Sequence, residues 1–301
     1  MDHRAFIKGV PRETMTRLRR REDGPGLRHL AGHLGFITVT GIWIGFALPF
    51  WPVVLFLHGI ALCFLFTLSH ESTHRTPFET GWMNEWAGRL AGFPIILPFE
   101  WFRHFHLAHH RYTNIPGKDP ELLEGGKPDN WVDFALYLSG LRYWSSMTRQ
   151  VFRNAMGKTE APYLPDAARP LVIREARIML CLYALALLSL TFSPAMIWLW
   201  IVPVLIGQPV LRLYLLAEHG RCSFVANMFE NTRTTYTNRI VRFFAWNMPY
   251  HVEHHTLPLV PFHKLPELHD LMRGHHAQVS PSYRAFTAGY AQKLSLKRPK
   301  P

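Results

Sequence analysis

Residues 52–74 read PVVLFLHGIALCFLFTLSHESTH. The first 18 of these residues, 52–69, are apolar enough to form a helix of ~27 Å, about one hydrocarbon thickness. The run ends directly in His70-Glu71-Ser72-Thr73-His74. That ending matches H-E-x-x-H, in which two helical histidines hold a zinc and the glutamate acts as base. The rest of the chain decides whether this stretch is a protease helix or part of a larger metal site.

Around it the chain has 301 residues, 48% hydrophobic and 18% charged, with a net charge of +12. That charge fraction is below the soluble average of about 25%. The positive balance points to an anionic partner, and the long apolar runs make that partner a membrane face rather than nucleic acid. Cys63, Cys181 and Cys222 lie far apart without a C-x-x-C pair, so they support neither a disulfide framework nor a thiolate site. The basic N-terminus lacks the apolar region of a secretory signal.

Three further apolar stretches cover residues 31–48, 178–192 and 195–217. Pro49-Phe50-Trp51 turns the first into the second, and Ser193-Pro194 turns the third into the fourth. Neither turn carries a charge, whereas Lys and Arg crowd the N-terminal, central and C-terminal segments. The positive-inside rule then places those segments in the cytoplasm and both turns outside. The expected fold is an all-α integral membrane protein of four transmembrane helices in two hairpins, with a cytoplasmic helical cap. Residues 1–30 form a basic cytoplasmic segment and 31–280 the membrane domain, with cytoplasmic parts at 70–172 and 218–280. Residues 281–301 form a basic tail, frayed against anionic head groups. Residues 90–99, LAGFPIILPF, are too short to span and dip into the interface, and residues 132–152 read as one interfacial amphipathic helix. The expected location is a bacterial inner membrane, with the catalytic face cytoplasmic.

The chain carries 18 histidines. At that frequency H-x-x-x-H occurs by chance about once, but H-x-x-H-H only roughly 0.06 times per chain. Two copies of the latter are present: HLAHH (His106, His109, His110) and HVEHH (His251, His254, His255). On a helix, residues three and four apart share a face. Each H-x-x-H-H therefore offers one imidazole at i and two more at i+3 and i+4, the adjacent pair diverging by about 100°. A diverging pair suits two metal ions better than one, and eight imidazoles exceed what a tetrahedral zinc can use. The hydropathy topology puts all three boxes at one membrane face, and His219 ends the fourth span at the same depth. Imidazole suits Fe, Zn, Cu and Ni alike. Apolar spans able to admit a lipid chain beside the site favour a redox metal.

With these residues in hand, the chain resembles the membrane fatty acid desaturase superfamily of acyl-lipid desaturases and related hydroxylases. The boxes HESTH, HLAHH and HVEHH and the phrases WFRHFHLAHHRYTNIPGKDPE and NMPYHVEHHTLP carry the resemblance. It implies a four-span fold whose cap houses a di-iron centre, with O2 as co-substrate for oxidising an unactivated methylene of a lipid or fatty acyl substrate. It assigns His70, His74, His106, His109, His110, His251, His254 and His255 as iron ligands, and His219 fits an additional ligand near the end of the last span. No H-P-G-G heme-binding segment is present, so electrons come from an external donor of ferredoxin, rubredoxin or cytochrome type.

Metal-bound imidazoles hand their second N–H to a carboxylate or carbonyl. Glu71, Asp119, Glu218, Asn247 and Glu253 are near enough in sequence to serve, which gives Glu71 a supporting role rather than that of a base. Trp82, Trp86, Phe93, Phe102 and Trp246 are candidate walls of a substrate tunnel entering between the hairpins. His104 lies on the wrong face of its helix to be a ligand, and His58 sits mid-span as a packed or hydrogen-bonded residue. His29, His33, His263, His269, His275 and His276 lack box spacing and read as surface or interface residues. Three alternatives stand beside desaturation. Hydroxylase or ketolase chemistry uses the same boxes. An intramembrane zinc metalloprotease uses HESTH alone and leaves six box histidines unexplained. A metal transporter would place its ligands near mid-bilayer rather than at one face.

Overall fold

The computed structural model describes residues 2–296 and is mostly helical. The helices of six or more residues, in chain order, begin with α1 (His3–Gly9), α2 (Arg12–Leu18), α3 (Asp23–Gly45), α4 (Trp51–Thr73) and α5 (Gly81–Gly92). There follow α6 (Phe99–Tyr112), α7 (Trp131–Leu138), α8 (Leu141–Ala155), α9 (Arg169–Ser189) and α10 (Val202–His219). The last four are α11 (Arg239–Phe244), α12 (His251–Thr256), α13 (Leu265–Leu271) and α14 (Tyr283–Ala291). Thr234–Thr235 and Val279–Ser280 form a two-stranded parallel pair.

Among the described residues, two helices are long and apolar enough to cross a membrane: Trp51–Thr73, and Ile197–His219 with its π-helical first turn. The expected first and third spans are also helices, but each starts earlier than hydropathy indicated, within charged sequence. They expose large apolar side chains, among them Val39 and Ile42 on α3 and Leu185 and Leu188 on α9.

The two apolar helices cross where neither has a side chain. A Cβ on Gly59 would lie 2.1 Å from the Pro203 carbonyl oxygen, and one on Gly207 would lie 2.3 Å from the Gly59 carbonyl. Small residues of this kind let membrane helices approach backbone to backbone. Polar side chains lock the same crossing. His58 joins three helices: its Nδ1 lies 2.7 Å from Thr40 Oγ1 on α3, and its Nε2 lies 3.0 Å from the Leu199 carbonyl. His33, read from sequence as a surface or interface residue, is instead buried with Nε2 2.9 Å from the Ala61 carbonyl.

The second expected hairpin is not a packed pair. Its arms, α9 and α10, splay, and residues 93–94 wedge between them: Phe93 stacks on Tyr183 and Trp200 at 4.6 and 5.4 Å. Tyr183 donates to the Phe93 carbonyl and Trp200 to that of Pro94, both at 2.8 Å. The segment 90–99 is therefore pinned by capping its carbonyls. The single interfacial helix expected at 132–152 is broken at Gly140, whose φ of +72° only glycine adopts freely. The expected tail is in part docked structure. Phe286 and Tyr290 of α14, together with Leu294, bury against Leu216 and Ala217 of α10, and Ser295 bonds the backbone of Asp129 and Trp131. Residues 297–301 of the tail lie outside the described residues.

Candidate metal centre

The histidines arrive on four helix segments. His70 and His74 close α4, His106, His109 and His110 line α6, His219 ends α10, and His251, His254 and His255 lie on the short α12. Left-handed residues Trp246 and Asn247 (φ 49° and 57°) turn the chain sharply from α11 to α12, so that α12 meets the other three. All nine rings are buried.

They form two adjacent groups. The ring nitrogens of His70, His74, His106, His110 and His254 lie within 4.8 Å of one another, as do those of His109, His219 and His255. His251 joins the second group, its Nε2 3.1 Å from that of His219. The adjacent pairs divide as helix geometry requires, His109 from His110 and His254 from His255. The groups touch where the His110 and His255 rings stack at 4.0 Å.

Proton positions within the second group follow from its outer contacts. His109 Nδ1 donates to Asp119 Oδ1 (2.9 Å) and His219 Nδ1 to the Asn231 carbonyl (3.1 Å). His255 Nδ1 donates to Thr113 Oγ1 (3.1 Å), whose own proton goes to the His109 carbonyl (2.8 Å). With Nδ1 protonated, each neutral ring directs an unprotonated Nε2 inward. Three Nε2 atoms thus converge, and the repulsion of their lone pairs is relieved by a positive charge among them, a proton on His109 or a metal ion. In the first group His106 Nε2, which has one lone pair, faces both His74 Nε2 and His110 Nε2 at 2.9 Å. Nε2 contacts across both groups span 2.9 to 3.2 Å. Two nitrogens about 2.1 Å from one metal and at right angles to it would be about 3.0 Å apart. The donor set therefore fits two metal ions with imidazole ligands.

Electrostatics agree. Burial, then the nearness of other imidazoles, holds His106, His110, His251, His254 and His255 well below the ordinary histidine range, so these rings are neutral and able to ligate. His109 is the exception. Burial lowers it, but the Asp119 hydrogen bond and the Glu121 carboxylate raise it above the ordinary value. That corner favours positive charge, whether a proton's or a metal's.

Of the expected supporting groups, Asp119 touches His109, Glu71 Oε2 lies 3.7 Å from His254 Nδ1, and Glu218 Oε1 lies 3.5 Å from His251 Nδ1. Glu71 Oε1 accepts from Thr76 Oγ1 (2.8 Å) and the Phe262 amide (2.9 Å), which ties the carboxyl outside the ring cluster. Two expectations do not hold. Asn247 donates to the Phe262 carbonyl at 3.0 Å and faces no box histidine. Glu253 turns away to bind His269, His276 (2.6 Å) and Thr234 (2.5 Å). Burial would raise Glu253, but the hydrogen bonds from His269 and His276 hold it below the usual carboxyl range. His269, expected at the surface or an interface, is buried where it makes this contact. Sequence reasoning missed Thr113, Glu121 and the Asn231 carbonyl. Glu121, whose Oε2 is 3.7 Å from His109 Nδ1, was legible in principle as the second acid after HLAHH.

A cavity of about 160 Å³ opens beside His70, His106, His109, His219 and His251. Of the five expected wall residues only Phe102 lines it, with Phe66, Trp101, Phe105 and Met147. Trp82 and Trp86 are exposed, Phe93 is the wedge described above, and Trp246 is buried in the core against Phe262.

Comparison with known proteins places these features in context. A family model described as fatty acid desaturase matches residues 46–287. The sphingolipid delta(4)-desaturase/C4-monooxygenase DES2 of Mus musculus is 25% identical over 274 residues, 85% of this chain and 79% of that protein. The sphingolipid delta(4)-desaturase DES1 of Gallus gallus is 30% identical over 72% of this chain and 63% of its own length. The sn-1 oleoyl-lipid 12-desaturase of Arthrospira platensis is 30% identical over 128 residues, so the chain spans only 36% of that relative.

Proposed function

The chain belongs to the fatty acid desaturase family, and from that premise we propose that it is a membrane di-iron enzyme that introduces a double bond into a fatty acyl chain of a lipid. It is an oxidoreductase of the desaturase type. One observation supports the metal reading above the rest: nine buried imidazoles in two groups, with Nε2 contacts of 2.9 to 3.2 Å that match neighbouring ligands of one metal ion. His70, His74, His106, His110 and His254 would hold one iron and His109, His219, His251 and His255 the other.

When bound, the irons supply with O2 an oxidant able to break an unactivated C–H bond. The protein's residues do the rest. Asp119, Thr113 and the Asn231 carbonyl fix three ring tautomers and orientations. Phe66, Phe102 and Phe105 form an apolar wall that holds a methylene next to the rings and keeps water out. Glu71, tied to Thr76 and the Phe262 amide, supports His254 rather than activating a water, which leaves the protease reading without its base.

The four helices α3, α4, α9 and α10 are read as spans, with the histidine face cytoplasmic. The Lys and Arg distribution and the exposed apolar faces of α3 and α9 support this. Electrons come from a separate ferredoxin-, rubredoxin- or cytochrome-type carrier. The mouse relative's name joins desaturase and monooxygenase, so hydroxylation is the second reading. Expression with iron and a reductase system, followed by lipid mass spectrometry, separates them. Loss of two mass units supports desaturation, gain of sixteen supports hydroxylation, and no change in any lipid refutes both.

A further inference from the structure

We propose that the groove between α5 and α9 binds an anionic glycerophospholipid of the cytoplasmic leaflet, with its phosphate at Arg174 and one acyl chain along α9, at a site separate from the reaction cavity. The inference rests on the reading of α9 as a membrane span and not on the metal centre. The groove has a volume of about 820 Å³, within the roughly 300–1,000 Å³ of ligand sites. Leu97, only 3% exposed, lines both this groove and the cavity beside the histidines and stands between them.

The lining changes from polar to apolar along its length. On α9 it follows Arg174, Ile178, Leu182 and Ala186, which are four apart and form one ridge of the helix. From Arg174 to Ala186 the helix rises about 18 Å, close to the ~15 Å of hydrocarbon in one leaflet. Across the groove stand Trp86, Leu90 and Phe93. Trp82, Trp86 and Leu90 form an outward row on α5, 65%, 58% and 66% exposed. Tryptophans collect where hydrocarbon meets water, so α5 lies along the cytoplasmic interface with this row in lipid.

The charges choose the class of head. Glu175 and Arg89 border the groove but are committed to each other and to the fold. Glu175 meets Arg89 Nε at 3.3 Å and accepts from the Glu100 amide at 2.8 Å, and Arg89 also bonds Glu85 and Glu100. Arg174 is exposed and makes no hydrogen bond or ion pair among the described residues. The mouth therefore keeps one uncommitted guanidinium, which pairs with phosphate through charge-assisted hydrogen bonds. An anionic head answers that charge, whereas a zwitterionic head brings a second cation beside it.

The test uses the full chain in detergent micelles with equal amounts of dioleoyl phosphatidylglycerol and dioleoyl phosphatidylcholine, and counts bound lipid by native mass spectrometry. Phosphatidylglycerol is expected to be favoured about fivefold, the effect of one interfacial arginine on an anionic lipid. Arg174→Gln should erase that preference, and Arg19→Gln, which removes an exposed arginine of the N-terminal segment, should keep it. Leu182→Trp fills the groove without changing charge and should lower the occupancy of both lipids. Equal binding of the two lipids, a preference unmoved by Arg174→Gln or lost equally in Arg19→Gln, or a dimer of the chain in place of bound lipid overturns the proposal. Cys181 reports separately on the parent reading, because it is exposed on α9 while Cys63 and Cys222 are buried. In sealed vesicles a membrane-impermeant maleimide should leave it unlabelled. A labelled Cys181 overturns the span reading and this inference with it, and a protected Cys181 without the lipid preference overturns this inference alone.

Discussion

Replacing Asp119 with alanine removes three accepted hydrogen bonds from one fully buried carboxylate. Oδ1 accepts from His109 Nδ1 and the Glu121 amide, both at 2.9 Å, and Oδ2 accepts from the Asn114 amide at 2.7 Å. Two effects separate by where they act. Orphaning the two backbone N–H groups costs about 1–3 kcal/mol each before relaxation, and this falls on the fold with or without metal. Freeing the His109 ring lets it rotate and exchange tautomers, and loss of such a partner lowers metal affinity about 10- to 100-fold, or about 1.4–2.8 kcal/mol. In Asp119→Asn the amide oxygen can still accept from His109, but its NH2 group must face the Asn114 N–H. That variant should lose affinity nearer the tenfold end. The assay is a chelator titration of the iron-loaded protein, with melting temperatures recorded with and without iron. Asp119→Ala should release iron at a lower chelator concentration, and its melting temperature should fall further with iron than without. If it falls equally in both states and the chelator midpoint is unmoved, Asp119 is only a loop anchor and the tautomer argument fails.

Other parts of the account are open to the same kind of test. Gly207→Leu drives a side chain into the Gly59 carbonyl. It should destabilise the chain by at least the 1–3 kcal/mol typical of overpacking, read as a lower melting temperature in detergent, and an unchanged melt would show that α4 and α10 do not cross there. Glu71→Gln should weaken iron retention through His254 without creating or abolishing any peptide hydrolysis; a peptidase activity lost in this variant would restore the zincin reading. Phe102→Ala enlarges the cavity beside His106 and should shift the position of the introduced double bond, measured by mass spectrometry of derivatised products.

The sequence made the ring groups legible because helix periodicity is local. Spacings of three and four put His106 beside His110 and sent His109 the other way, whatever the rest of the chain did. The same rule, applied to carboxylates, would have corrected Glu253. It lies two residues after His251 and one before His254, offsets that do not share a face, so nearness in sequence misled. Glu71 is likewise one residue from His70, yet it meets a box histidine of another helix, His254, which only tertiary packing could reveal. The Asn231 carbonyl leaves no trace in sequence, since any residue has a backbone oxygen. Hydropathy found α4 and α10 well because each carries a long window of high mean hydropathy with at most two charged residues. It misplaced the starts of α3 and α9, whose first turns are charged, and it could not foresee that Phe93 and Pro94 would part α9 from α10. The expected walls failed for a related reason. Trp82 and Trp86 are four apart on the exposed face of α5, where aromatic character alone does not say which environment a ring enters.

The most direct measurement is the metal content of the purified full-length chain, by elemental analysis with Mössbauer spectroscopy after growth on labelled iron. Two irons per chain in imidazole-rich sites, depleted in His109→Ala and retained in His275→Ala, is the result this account requires. One zinc with no iron, or iron bound equally by both variants, contradicts it.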